Sequence, residues 1–236
     1  MLNFLRKLRK RSNKTGYFKY AIGEIFLVVI GILLALQISD WNQFKKDREF
    51  ELFTLKEVEN NLQEDRKQIS RIVSKYATAK ASIEDLSSQP FSSYDSAKMA
   101  ADIDNIWGFE RFFPIRNGYE ALKSRGFQVS NAPLRTALGR YYENELTRVT
   151  ASIFDIERAF LTEFSSIIES GYVVRIDNRE VQITNQQSRR FESALKTYAR
   201  GLLPNITGTV LNLNAFMDIN EQTLKAINQE IERLAK

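Results

Sequence analysis

Apolar residues are distributed along this chain in two different ways. Between Tyr20 and Trp41 they are almost continuous, with Glu24 the only charge before Asp40. At about 1.5 Å per residue that run makes a helix of about 31 Å, enough to cross the hydrocarbon core of a bilayer. Tyr17, Phe18 and Tyr20 at one edge and Trp41 at the other stand where aromatic rings settle at headgroup level. Further on, apolar residues return every third or fourth position through Leu55, Val58, Leu62, Ile69, Ile72, Tyr76, Ala79, Ile83 and Leu86, with Asp65 breaking the seam. That spacing places one stripe on one face of a long amphipathic helix.

The residues around Pro90 end this helix, and a shorter one is expected from Ser96 to Trp107. Asn131 as cap and Pro133 in the first turn announce a second long helix, through Leu138, Tyr142, Leu146, Val149, Ile153, Ile156, Phe160 and Ile167 to about Ser170. The β-prone residues 171–176 and 181–183, with Asp177 and Asn178 between them, read equally as a small hairpin or a loop. Residues 185–236 are helical in pattern again, and Pro204 is expected to break or kink that helix. Three long helices with apolar seams bury them most simply as an antiparallel bundle. The fold expected is therefore all-α: a transmembrane helix, then a bundle, with the hairpin as an optional addition.

Charge gives the span a direction. Residues 1–20 carry Arg6, Lys7, Arg9, Lys10, Arg11, Lys14 and Lys19 and no acid, while the flank after Trp41 mixes both signs. Cationic residues stay on the cytoplasmic side, so residues 42–236 are expected outside the cytoplasmic membrane, in the periplasm of a two-membrane bacterium. The domains expected are a cytoplasmic tail (1–19), the span (20–41) and an extracytoplasmic bundle (42–236). Leu2, Phe4, Leu5 and Leu8 interleave with the basic residues, as in a short amphipathic helix lying on an anionic inner leaflet. A cleaved signal peptide and a buried core helix are the competing readings of the apolar run. Glu24 inside it and the poor cleavage site near Ala35 count against the first, and the charge asymmetry against the second.

The tail also accounts for the net charge of +5. The other 27 basic side chains face 29 acidic ones, so the remainder is slightly acidic and offers no basic face to nucleic acid. With no cysteine and no histidine, the chain has no disulfide, no thiolate nucleophile and no Ser-His or Cys-His dyad. No cofactor, metal site or catalytic residue is expected.

Two sets of residues stand out as interaction sites. Glu24, Val28, Gly31, Ala35 and Ile38 share one face of the span. Gly31 and Ala35 form a small-xxx-small pair that admits a second helix. Glu24 also has a plainer reading, in which it reaches the headgroup zone or a nearby lysine, and a remoter one in ion or proton conduction. Between the long helices, Pro114, Tyr119, Glu120, Leu122, Lys123 and Gly126 form a candidate docking corner. Its plainer reading is a turn of the bundle with Tyr119 and Leu122 packed inward.

The run from Tyr20 to Ile38, followed by Trp41 and Asn42, resembles the N-terminal signature of a family of uncharacterised single-span envelope proteins from Bacteroidetes-type bacteria. A second block is similar to the middle of that family's outer domain: Phe113 and Pro114; Tyr119, Glu120, Leu122, Lys123, Ser124 and Gly126; Leu134 and Arg135; Tyr141 and Tyr142. The resemblance implies the address and a shared structural corner, and no substrate or catalytic residue. The leading expectation is a non-catalytic envelope protein that binds itself or another envelope component. A ligand-sensing domain working through a separate partner comes second. A hydrolase using paired acids such as Glu120 and Glu143 comes last, because surface carboxylates on helices seldom reach the controlled separation that glycoside chemistry needs.

Overall fold

The computed structural model describes residues 2–127, 129–176 and 180–236, with side chains from Ile22 onward. It divides into two compact units, Met1–Phe50 and Glu51–Lys236. Helix α1 (Leu2–Ser88) contributes to both.

In the first unit the apolar side chains from Ile22 to Phe44 are exposed on every side of the helix. One stretch there is long and apolar enough to cross a membrane, and none of it is buried within the protein. A helix that is apolar all round is at home only in an apolar surrounding.

The second unit is a helical bundle. All nine apolar seam residues of α1, from Leu55 to Leu86, are buried, and Asp65 among them is fully buried too. After a turn at Phe91–Ser93, α2 (Ser96–Ile106) starts on Asp95, whose side chain accepts from the Lys98 N–H. The chain then runs back along α1 as an irregular leg. Its contacts descend in order: Asn105 to Ser82, Glu110 to Lys75, Ile115 to Asp65 and Ser130 to Glu51. The leg contains the short helix α3 (Asn117–Ser124).

The second long helical run ascends from α4 (Ala132–Gly139), capped as expected by the Asn131 side chain on the Leu134 N–H. It is not uniformly α-helical. Helices α5 (Leu146–Ala159) and α6 (Ser165–Glu169) follow π-helical turns at Arg140–Glu145 and Phe160–Phe164. The first wider turn brings the adjacent tyrosines Tyr141 and Tyr142 both into the core. The hairpin forms, β1 (Val173–Ile176) against β2 (Glu180–Ile183), with Val173 opposite Ile183. Its expected turn residues, Asp177 and Asn178, lie outside the described residues.

Helix α7 (Arg189–Ala235) descends against both long partners, Tyr198 beside Phe164, Asn212 bonded to Ser152 and Asn131 to Glu230. Of the break or kink expected at Pro204, the break does not occur, and the helix runs through it. Pro204 and Arg200 face solvent, so water can serve the Arg200 carbonyl that lost its donor, while buried Leu202 and Ile206 hold the opposite face. The bundle thus runs up, down, up and down, with an irregular second leg.

Candidate functional site

Within the first unit, Glu24, Val28, Gly31, Ala35 and Ile38 are all exposed. A Cβ added at Gly31 would meet nothing within 4 Å, so no packing inside the chain requires a glycine there. The seven cationic residues of the tail, Arg6, Lys7, Arg9, Lys10, Arg11, Lys14 and Lys19, have side chains outside those described.

The corner residues divide by role. Tyr119 and Leu122 are buried, with the Tyr119 ring stacked on Tyr142 at 4.3 Å and met edge-on by Phe127. Gly118 lies against α1 so closely that a Cβ would come 2.9 Å from Val58 Cγ2 and 3.0 Å from the Val58 backbone nitrogen. Gly126 closes the helix in the left-handed region at φ 75°, where a side chain would be strained. Pro114 is half-buried at the turn into the corner, and Glu120 and Lys123 face outward.

Lys123 Nζ and the Tyr119 hydroxyl both donate to Glu143 Oε1, at 3.0 and 2.9 Å. These donors hold the Glu143 carboxyl below the usual carboxylate range. A glutamate so held is a poor general acid. The corner is thus mainly a packed structural element with a small charged outer surface.

In the sequence Asp65 is only a break in the seam, yet it forms the most unusual polar centre of the bundle. Its Oδ1 accepts from the Ile115 N–H at 3.0 Å, while Oδ2 has no hydrogen-bond partner. Burial pushes this carboxyl up to about 7, against the lowering pull of the Ile115 N–H and the Arg116 charge. Tyr141, Tyr142 and Asn220 complete the centre. Asn220 Nδ2 donates to the Leu62 carbonyl and the Tyr141 hydroxyl, both at 3.0 Å, and Arg116 donates to the Tyr142 carbonyl at 2.9 Å. Burial raises both phenols far above their ordinary value, so they stay neutral. An acid at a core position among nine apolar ones was the available signal.

A groove of about 780 Å³ lies between α6 and the start of α7. It exists because the facing residues are small: Ser166 and Ser170 on one wall, Ser193, Ala194 and Thr197 on the other. Arg189 and Arg190 line it as well, and Glu163 reaches the α7 wall beside Gly201.

These features define a helical-bundle protein with one helix fit to cross a membrane. Residues 24–170 match the family of unknown function DUF6090, and the chain belongs to that family. The match takes in the apolar run from Glu24, the irregular leg and the second helical run, and ends before the hairpin and α7. No curated protein and no solved structure matches the chain.

Proposed function

We propose that this protein is a non-catalytic, single-pass component of a bacterial cell envelope, acting as an adaptor through association with itself or another envelope protein. The basic tail holds the N-terminus in the cytoplasm against anionic lipid, and the bundle works in the periplasm. The observation that carries the reading is the exposed face Glu24, Val28, Gly31, Ala35 and Ile38, which offers small residues and a carboxyl to a second helix. The sequence resemblance to single-span envelope proteins of Bacteroidetes-type bacteria supports the same address. Neither nucleic acid nor a cofactor enters this reading.

Affinity purification of the tagged chain from gently solubilised native membranes, with mass and partners read together, tests it. A defined homo-oligomer or stoichiometric partner that is lost in Gly31→Leu supports the proposal. A lone monomer, resistant to cross-linking in membranes, overturns it. The groove favours a second reading, ligand sensing through a separate partner, in which Arg189 and Arg190 receive an acidic group on the ligand. A thermal-shift screen of acidic metabolites with no stabilising compound removes that reading.

A further inference from the structure

We propose that Asp65 is a proton-operated clasp on the irregular leg: with its proton in place the leg is seated on α1, and loss of that proton loosens residues 112–118.

The surroundings of the carboxyl suit its neutral form. Asp65 is 0% exposed, and among the described residues the only hydrogen bond to its carboxyl is that of the Ile115 N–H on Oδ1. From the leg it is faced by Arg116, whose guanidinium is committed to the Tyr142 carbonyl rather than to the acid. From the π-turn it is faced by the neutral phenols of Tyr141 and Tyr142. From α7 comes Asn220, which spends both amide protons elsewhere and leaves its Oδ1 without a donor. The Tyr142 hydroxyl also has no protein partner. On α1 itself, Arg66 is occupied by Glu221 and the Met217 carbonyl, and Asn61 by Asn117. Nothing donates to Oδ2. An ionised carboxylate in the same place is a buried charge with one hydrogen bond and no ion pair, which is costly.

The leg is the element that can yield. Residues 109–116 have no regular secondary structure, so no ladder of backbone hydrogen bonds ties them together. Among the described residues, their hold on the bundle consists of the Asp65–Ile115 bond, the Arg111–Glu157 and Lys75–Glu110 pairs, the Arg116 bond to the Tyr142 carbonyl, the Phe109 and Phe112 rings against Phe160 and Phe216, and a long Gln68 contact to the Phe113 carbonyl. Helices α1 and α7 are each held by long buried seams. Opening the leg hydrates the carboxylate without separating either long seam. Because the leg leads into the corner that presents Glu120 and Lys123, the clasp couples the proton to that outer surface.

Hydrogen exchange read by mass spectrometry on the full chain in lipid nanodiscs, comparing wild type with Asp65→Asn at pH 6 and pH 8, tests this. Comparing the two proteins at each pH cancels the intrinsic pH dependence of exchange. At pH 6, between the ordinary aspartate value of 3.8 and the folded-state value near 7, peptides covering 107–127 should already exchange faster in wild type than in Asp65→Asn, because the opened carboxyl ionises while the seated one keeps its proton. From pH 6 to pH 8 the ratio of wild-type to Asp65→Asn exchange in these peptides should rise about 10-fold further, with α5 and α7 unchanged. Equal exchange at both pH values overturns the clasp. Should Asp65→Asn fail to fold, the ¹³Cγ signal of Asp65 in the wild-type chain decides: a midpoint near 7 supports the proposal, and one near 4, the ordinary aspartate range, overturns it.

Discussion

Glu230 and Asp65 are removed from water to the same degree, at 1% and 0% exposure, but their protons behave in opposite ways. Around Glu230, at the end of the bundle where α1 enters and α7 leaves, donors converge: Arg233, the Asn131 amide at 2.9 Å and the Ser130 hydroxyl at 3.2 Å. Arg233 most of all, then the two neutral donors, hold the Glu230 carboxyl below its ordinary value. Around Asp65, a third of the way along the bundle portion of α1, one backbone N–H is all that reaches the acid, and burial prevails. Burial alone therefore predicts neither the charge nor the stability contribution of a carboxyl. The donors that arrive with the neighbouring chain decide both.

The largest effect on this comparison is expected from Glu230→Ala, which removes the acceptor shared by Arg233, the Asn131 amide and the Ser130 hydroxyl. It should cost about 3 kcal/mol, the low end for breaking a buried pair, because Arg233 still reaches solvent. Chemical denaturation of the wild-type and variant chains in the same detergent measures it.

Asp65→Asn should act with the opposite sign. A carboxyl whose folded-state value lies near 7, against 3.8 unperturbed, favours the folded state below about pH 4, and this stability is lost as pH rises toward 7. For Glu230 the stability is present above the ordinary glutamate value of 4.5 and is lost as pH falls through the lower folded value. At pH 8 the asparagine should therefore be more stable than wild type by about 2 kcal/mol, after the burial of its own amide offsets part of the gain. A melting temperature flat between pH 5 and 8 in the variant and falling in wild type is the expected record. Parallel curves would mean that Asp65 does not titrate in this range.

Asn220→Leu sharpens the comparison on the neutral side of the same centre. It removes the donor to the Leu62 carbonyl and the Tyr141 hydroxyl, and should cost about 1–2 kcal/mol without changing the slope against pH. Glu143→Gln is the exposed reference. Its pair with Lys123 is nearly half exposed on both sides, and its loss should change stability by less than about 1 kcal/mol.

Much of the bundle was legible in the chain because its signals are local. The three-and-four spacing from Leu55 to Leu86 is a property of one helix, and so is the Asn131 cap. At the corner, Tyr119 and Leu122 turn inward as its plainer reading expects. Three features were not legible. The π-turn at Arg140–Glu145 depends on two adjacent tyrosines competing for one core, which no single-helix pattern expresses. Helix α7 survives Pro204 because its buried face is gripped on both sides of the proline, a tertiary compensation. Asp65 looked like a gap in a stripe because the atoms that surround it come from residues 115, 141, 142 and 220.

Sequence by itself determined where the apolar run lies, which faces of the long helices are buried and how the charge divides, since periodicity and hydropathy act over a few turns of one segment. Only the tertiary structure decided that the second leg would be irregular, that Gly118 would meet Val58 and that one buried acid would be well served and another nearly alone. Those outcomes depend on donors and volumes brought together from distant parts of the chain, and that proximity is created by folding.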